Sequence, residues 1–266
     1  MKTKFILLPC LLLVVSIAQA QSINDYLDQY QIIPQMISQH PDGEWLISAS
    51  SKESKPQLLR LSPINETEAN IDTLNFGYYL NVSKLSNDGD HLLYGFADTI
   101  QDVRKTYMRK YENGQFSKPI DFREKTGLKS LTYFMLDEDE NVYFYSYTKK
   151  PKGLYRIMKA DEDRYNEAEL LLPNKPNYVP FSPLLLDEQT MLLAQHGVDD
   201  QSVNGIYVSQ KTDGKWQTPK KIEGWPYGWS LGFDKDGNII YLNAKTRRIE
   251  SFSKSMVWSK INPLIN

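Results

Sequence analysis

Five short apolar runs recur along the chain, each directly after a polar turn. They read HPDGEWLISAS at Asp42, SNDGDHLLYGF at Asp88, DEDENVYFYSY at Asp139, LDEQTMLLAQH at Glu188 and DKDGNIIYLNA at Asp236. The intervals between these turn residues are about 46 to 51 residues, the period of a repeat that makes one supersecondary unit. An apolar stretch precedes each turn (QIIPQMIS, YYLNVSKL, LTYFML, YVPFSPLLL, YGWSLGF). A further strand-like run follows (QLLRLS, TYMRKY, LYRIMKA, GIYVSQK, RIESFSK). A polar turn and a short fourth run then close the unit, as in FSKPIDF, AELLL and WQTPKKI. Runs rich in Val, Ile, Tyr and Phe and bounded by Asp, Asn and Gly read as strands and hairpins. No long apolar stripe at helical spacing interrupts them, so the pattern predicts an all-β chain.

Four strands per unit and five units predict a β-propeller of five four-stranded blades. The blades fall at approximately 31–76, 77–126, 127–177, 178–224 and 225–265, within a single domain over residues 21–266. A blade with two apolar faces buries them only against its neighbours, so the core depends on ring closure. Residues 21–30 are one candidate for a closing strand, and INDYLDQY within them reads equally as a short helix or an extended lead-in. The last unit, ending MVWSKINPLI, reads as already holding four strands of its own.

A second repeat lies inside the first. Asp213-Gly214-Lys215-Trp216, followed by Pro219, matches Asn113-Gly114-Gln115-Phe116, followed by Pro119, at an offset of 100 positions, about two blade lengths. Gly directly after Asp or Asn is the chemistry of a tight hairpin turn. The spacing of a sialidase-type Asp-box, with Gly two residues beyond Asp, is not met. This stretch therefore predicts an outer hairpin used in blades two and four.

Together, HPDGEWLIS, SNDGDHLLYGF, FDKDGNIIYL and GIYVSQKTDGKWQTPKKI resemble the TolB-like, WD-repeat-like β-propeller repeats of exported bacterial proteins. The resemblance spans most of the chain and implies a binding or scaffold module. Units three and four depart from it, with Asp139-Glu140 and Glu188-Gln189 replacing Asp-Gly, and looser turns or another turn type are expected there.

The amino terminus adds an address. Met1-Lys2-Thr3-Lys4, an apolar run FILLPCLLLVVSI and Ala18-Gln19-Ala20 form a secretory signal peptide over residues 1–20. The apolar run is shorter than the roughly 20 residues of a membrane span, so no stable span is expected after cleavage. The single cysteine, Cys10, lies within this leader and not at a lipidation site. The mature chain then has no disulfide, thiol nucleophile or thiolate metal site. A periplasmic or secreted location is expected. The 31 basic and 33 acidic residues show no basic block, which argues against nucleic acid as a partner. A monomer is expected.

Candidate chemistry is sparse. His40, His91 and His196 have no companion at metal-ligand spacing, and no serine elbow, P-loop or dinucleotide fingerprint occurs. No metal or cofactor is expected, and no catalytic residue is assigned. Asp137, Asp187 and Asp234 lie at the ends of innermost strands, where a glycan-active hydrolase or lyase places channel carboxylates. Asp in such turns more commonly caps its own backbone. The starts of innermost strands carry aromatics instead: Tyr78, Tyr79, Tyr178 and Tyr227, with Trp225 and Trp229 flanking the last. If those strands line the channel, these six residues ring one mouth. The leading expectation is a non-catalytic module that recognises a protein, peptide or glycan there. The alternative is the glycan-active enzyme.

Overall fold

A computed structural model describes residues 23–50, 56–65, 68–76, 80–98, 103–128, 131–161 and 164–265. The leader, Cys10, Tyr78 and Tyr79 lie outside the described residues.

The strands form five antiparallel meanders arranged in a ring. Blade 1 contains β1 (Ile33–Gln39), β2 (Trp45–Ser50), β3 (Gln57–Pro63) and β4 (Ala69–Leu74). Blade 2 contains β5 (Leu80–Leu85), β6 (His91–Asp98), β7 (Val103–Glu112), β8 (Gln115–Phe116) and β9 (Ile120–Asp121). Blade 3 contains β10 (Thr132–Leu136), β11 (Val142–Ser146), β12 (Gly153–Ile157) and β13 (Glu169–Pro173). Blade 4 contains β14 (Tyr178–Leu185), β15 (Thr190–Gly197), β16 (Gly205–Thr212), β17 (Lys215–Trp216) and β18 (Lys220–Lys221). Blade 5 contains β19 (Gly228–Phe233), β20 (Ile239–Asn243) and β21 (Ile249–Phe252). The first strand of each blade touches the first strands of both neighbours, β1 against β19 included, so the ring is closed.

The repeated hairpins are outer hairpins. Asn113-Gly114 and Asp213-Gly214 both have positive φ at the two turn residues, as a type I′ turn requires. β8 and β9 are two pieces of one outer strand broken around Pro119, and β17 and β18 are the same strand broken around Pro219. Proline has no N–H for the ladder, so the strand resumes only beyond it.

The inner turns follow one plan. Gly43, Gly89 and Gly237 are left-handed, and each donates its N–H to the carbonyl three residues back. In blade 3 the same place is taken by Glu140 (φ 59°), whose N–H bonds Asp137 O. That turn is therefore of the same type as the glycine turns. The turn of blade 4 has no left-handed residue and keeps only the wider bond of the plan, from Leu186 N–H to Thr190 O. Gly89 is constrained twice, because an added Cβ would stand 2.4 Å from the His40 ring of the adjacent turn. At Gly214 nothing lies within 4 Å. Gly214→Ala then carries only backbone strain of about 1–2 kcal/mol. Gly89→Ala is expected to cost at least about 1 kcal/mol more in urea titrations. Equal costs would mean that the His40 ring swings clear.

Two helices correct the expected closure. Residues 23–29 form helix α1, not a strand, and Ile23, Tyr26 and Leu27 pack into the seam between blades 5 and 1. The buried Asn24 amide donates to Ile249 O (2.8 Å) and accepts from Ile249 N–H (2.8 Å). One side chain thus satisfies both outward-facing backbone groups of a residue in β21, the outer strand of blade 5. Arg248 pairs with Asp28 of the same helix (2.7 Å). The expected fourth strand of blade 5 is instead the carboxy-terminal helix α3 (Lys254–Ile265), while helix α2 (Phe122–Thr126) follows the outer strand of blade 2. Ser253 Oγ caps its start at Met256 N–H, and Val257 and Ile261, four apart, face the core shared with blade 4.

Side chains tie the inner strands together. Ile37 N–H donates to Ser230 Oγ, Leu85 N–H to Ser38 Oγ and Leu231 N–H to Ser182 Oγ. Leu185 N–H meets the Met135 thioether in the same way. Each tie crosses from one blade to the preceding one, and each satisfies an N–H that has no strand beside it.

Candidate functional site

Each innermost strand shifts register at a bulge, between Thr132 and Met135 in β10, between Phe181 and Leu184 in β14, and between Trp229 and Gly232 in β19. Tyr133 (φ 49°), Ser182 (φ 51°) and Ser230 (φ 60°) occupy these bulges in the left-handed region. A bulge re-aims the side chain it carries. In blades 4 and 5 that side chain is a serine spent on an interblade tie. In blade 3 it is Tyr133, and its ring lines an open cup at one mouth of the channel.

The cup has a volume of about 300 Å³ and is lined by Tyr133, Tyr145, Val179, Phe181, His196, Tyr227 and Trp229. It spans blades 3, 4 and 5. Tyr133 meets Phe181 edge-on at 4.7 Å between ring centres. Tyr227 lies over the exposed His196 ring, with its hydroxyl 3.3 Å from Nδ1. Trp229 is fixed by its indole N–H, which donates to Gln35 O at 2.7 Å, and the Arg247 guanidinium sits 4.8 Å from its ring centre. Asn174 donates to the Tyr145 hydroxyl. Burial raises the Tyr133 phenol, and it pushes Tyr227 up to about 12 with a smaller contribution from Tyr133. Both phenols therefore stay protonated at neutral pH and can donate hydrogen bonds. The cup offers flat apolar faces, hydroxyl donors and one imidazole, and none of its lining residues is a carboxylate.

Of the six aromatics expected at a mouth, Tyr227 and Trp229 line the cup, two apart on one face of the chain. Tyr178 opens β14 opposite Gly197, and its neighbour Val179 faces the cup, so strand alternation turns Tyr178 to the other face. Trp225 is 5 % exposed and packs edge-on against Tyr241 and Phe252 in the core. Tyr133, Tyr145 and Phe181 were not singled out in the sequence, and His196 was weighed there only as a metal ligand. A signal did exist for Tyr133 and Phe181, which precede their inner turns at nearly the same offset as Trp229 does.

The three aspartates lie at the opposite end of the ring and are occupied by their own turns. Asp137 Oδ1 accepts from Asp139 and Asn141 N–H, and its Oδ2 accepts from the Asn141 amide. Asp234 repeats this with Asp236 and Asn238. Asp187 accepts from Gln189 N–H. Burial holds the Asp137 carboxyl above the ordinary range, opposed by its bonds to Asn141 and Asp139. Among the described residues, no group of three or more His, Cys, Asp or Glu is placed to hold a metal. No described helix is long and apolar enough to cross a membrane.

No family model matches the chain, and no curated protein matches it either. Solved structures do. A protein from Lactobacillus plantarum aligns with a TM-score of 0.50 at 9 % identity, over 85 % of this chain and 82 % of that one. A putative TolB from Agrobacterium tumefaciens aligns at 0.47 and 16 % identity, over 82 % and 74 %. A prolyl endopeptidase aligns at 0.43 and 12 % identity over 82 % of this chain, which spans only 35 % of that enzyme's length. At these identities the likeness concerns the fold. The class the fold defines is the five-bladed β-propeller.

Proposed function

We propose that this chain is an exported, non-catalytic TolB-like β-propeller module, acting in the periplasm or outside the cell, that recognises a protein, peptide or glycan at one face of the ring. The observation that carries this reading is the aromatic cup. Its rings come from three blades, one of them aimed by a strained bulge, and backbone in sparsely populated regions gathers where a fold builds a site. Aromatic side chains with a polar handle dominate the energetics of binding surfaces. The carboxylates that a glycan-active enzyme needs lie at the other end of the ring and serve as turn caps, which favours binding over hydrolysis.

A photo-crosslinking residue placed at His196, on the exposed rim, tests the reading in native extracts, alongside a glycan array. A captured partner or bound glycan should lose affinity at least about 30-fold in Tyr227→Ala, the effect of removing an aromatic hot spot. The melting temperature of the variant separates lost contact from lost folding. Release of product from a glycan panel, abolished by Asp234→Asn, would instead establish the enzyme.

A further inference from the structure

Lys84 is the one lysine or arginine in the core among the described residues, 5 % exposed on β5. Its Nζ donates to Ile37 O (3.0 Å) and Ser230 O (3.3 Å), carbonyls of blades 1 and 5. An ammonium has three donors, so one remains beyond these two bonds. Space is reserved for the head group, since a Cβ on Gly232 would stand 2.6 Å from it. Lys84 also lines a pocket of about 330 Å³ at the inner-turn mouth, the end of the ring opposite the cup.

The other charged groups of this pocket are accounted for. Lys235 pairs with Asp236 at 3.0 Å. Asp234 is held by three hydrogen bonds from its own turn, and Glu138 is exposed. Lys84 has two carbonyls and no carboxylate. Carbonyl dipoles solvate an ammonium but leave its charge unneutralised, and a buried charge is stable only when it is paired.

We propose that this mouth is a second ligand site, in which the Lys84 ammonium takes the carboxylate of a small organic acid. The charge count selects the carboxylate. One unneutralised cation matches one negative charge, whereas a phosphate dianion would face Asp234 and Glu138 with charge to spare. Asn87, on the same lining, carries amide donors for the rest of the ligand. Desolvation holds Lys84 down to about 7 in the free protein. Binding a carboxylate therefore draws a proton onto it at neutral pH, and affinity falls roughly tenfold for each pH unit above that value. Asp234, Glu138 and Lys235 are the other titratable groups facing the site.

Calorimetric titration of the full chain with the monocarboxylates acetate, propionate and lactate tests the proposal. We expect at least one to bind near pH 6, to bind roughly 30-fold more weakly near pH 8.5, and to take up a proton at pH 7 when buffers of different ionisation heat are compared. Lys84→Met should abolish binding. Absence of binding by all three acids, binding without proton uptake, or unchanged binding in a folded Lys84→Met protein would overturn it. Inorganic phosphate binding as tightly would overturn the carboxylate assignment. Should Lys84→Met fail to fold, proton uptake by the wild-type protein decides. None of these results bears on the aromatic cup, so either site can fail without the other.

Discussion

Asn24→Ala is expected to destabilise the folded ring by about 2–6 kcal/mol, far more than a substitution on the surface of a short helix would ordinarily cost. The reason lies in Ile249. Its N–H and C=O both face outward from β21, and both are bonded by the one Asn24 side chain in a buried setting. Leaving a buried donor or acceptor without a partner costs about 1–3 kcal/mol for each group. The neighbouring clasp gives the contrast. Arg248 and Asp28 are both largely exposed, and an exposed pair is worth about 0–1 kcal/mol, so Asp28→Ala should lie near wild type. Urea unfolding of both variants measures the difference. A cost below about 1 kcal/mol for Asn24→Ala would mean that water replaces the amide and that the ring closes by packing alone.

The second large effect concerns pH. The Lys84 ammonium is held down to about 7 when folded, against 10.5 in an unfolded chain. Between these values the unfolded state carries a proton that the folded state lacks, so the lysine's contribution to stability rises with pH across that window. It is flat below 7 and above 10.5. Lys84→Met removes this dependence and adds a constant loss from the two unpaired carbonyls. The stability difference, wild type minus variant, should therefore climb by up to about 1.4 kcal/mol per pH unit from pH 7 upward. Denaturation midpoints at a series of pH values from neutral to alkaline read this directly, and parallel curves would sink the assignment.

Much of the ring was legible in the sequence because its punctuation is chemical. Asp-Gly and Asn-Gly mark turns that require left-handed backbone, and the five inner turns recur at blade intervals. What escaped obeys the same physics with other residues. Glu140 adopts the glycine conformation of its turn, and no rule of composition points to it. The segment over 23–29, legible as either a short helix or an extended lead-in, is the helix, because Ile23, Tyr26 and Leu27 fall on one face at helical spacing; its role in closing the ring was not legible. In MVWSKINPLI the apolar residues Val257 and Ile261 lie four apart behind a serine cap, which favours helix over strand. The cup was half visible. Tyr227 and Trp229 follow from counting back from a turn, but Tyr145 and His196 come from second strands in other blades. Only closure of the ring brings them to the same mouth.

The prolines that split the outer strands of blades 2 and 4 also bear on how this molecule meets others. An unpaired outer strand is a template for a strand from another chain. At Pro119 and Pro219 the template lacks an N–H, and its register breaks between β8 and β9 and between β17 and β18. Lys118, Lys215, Lys220 and Lys221 put like charge on the same short segments. A second copy of the chain approaching either edge meets neither a continuous ladder nor a neutral surface. The rim at these two blades is thereby guarded against the edge-to-edge aggregation to which flat, exposed β-structure is prone.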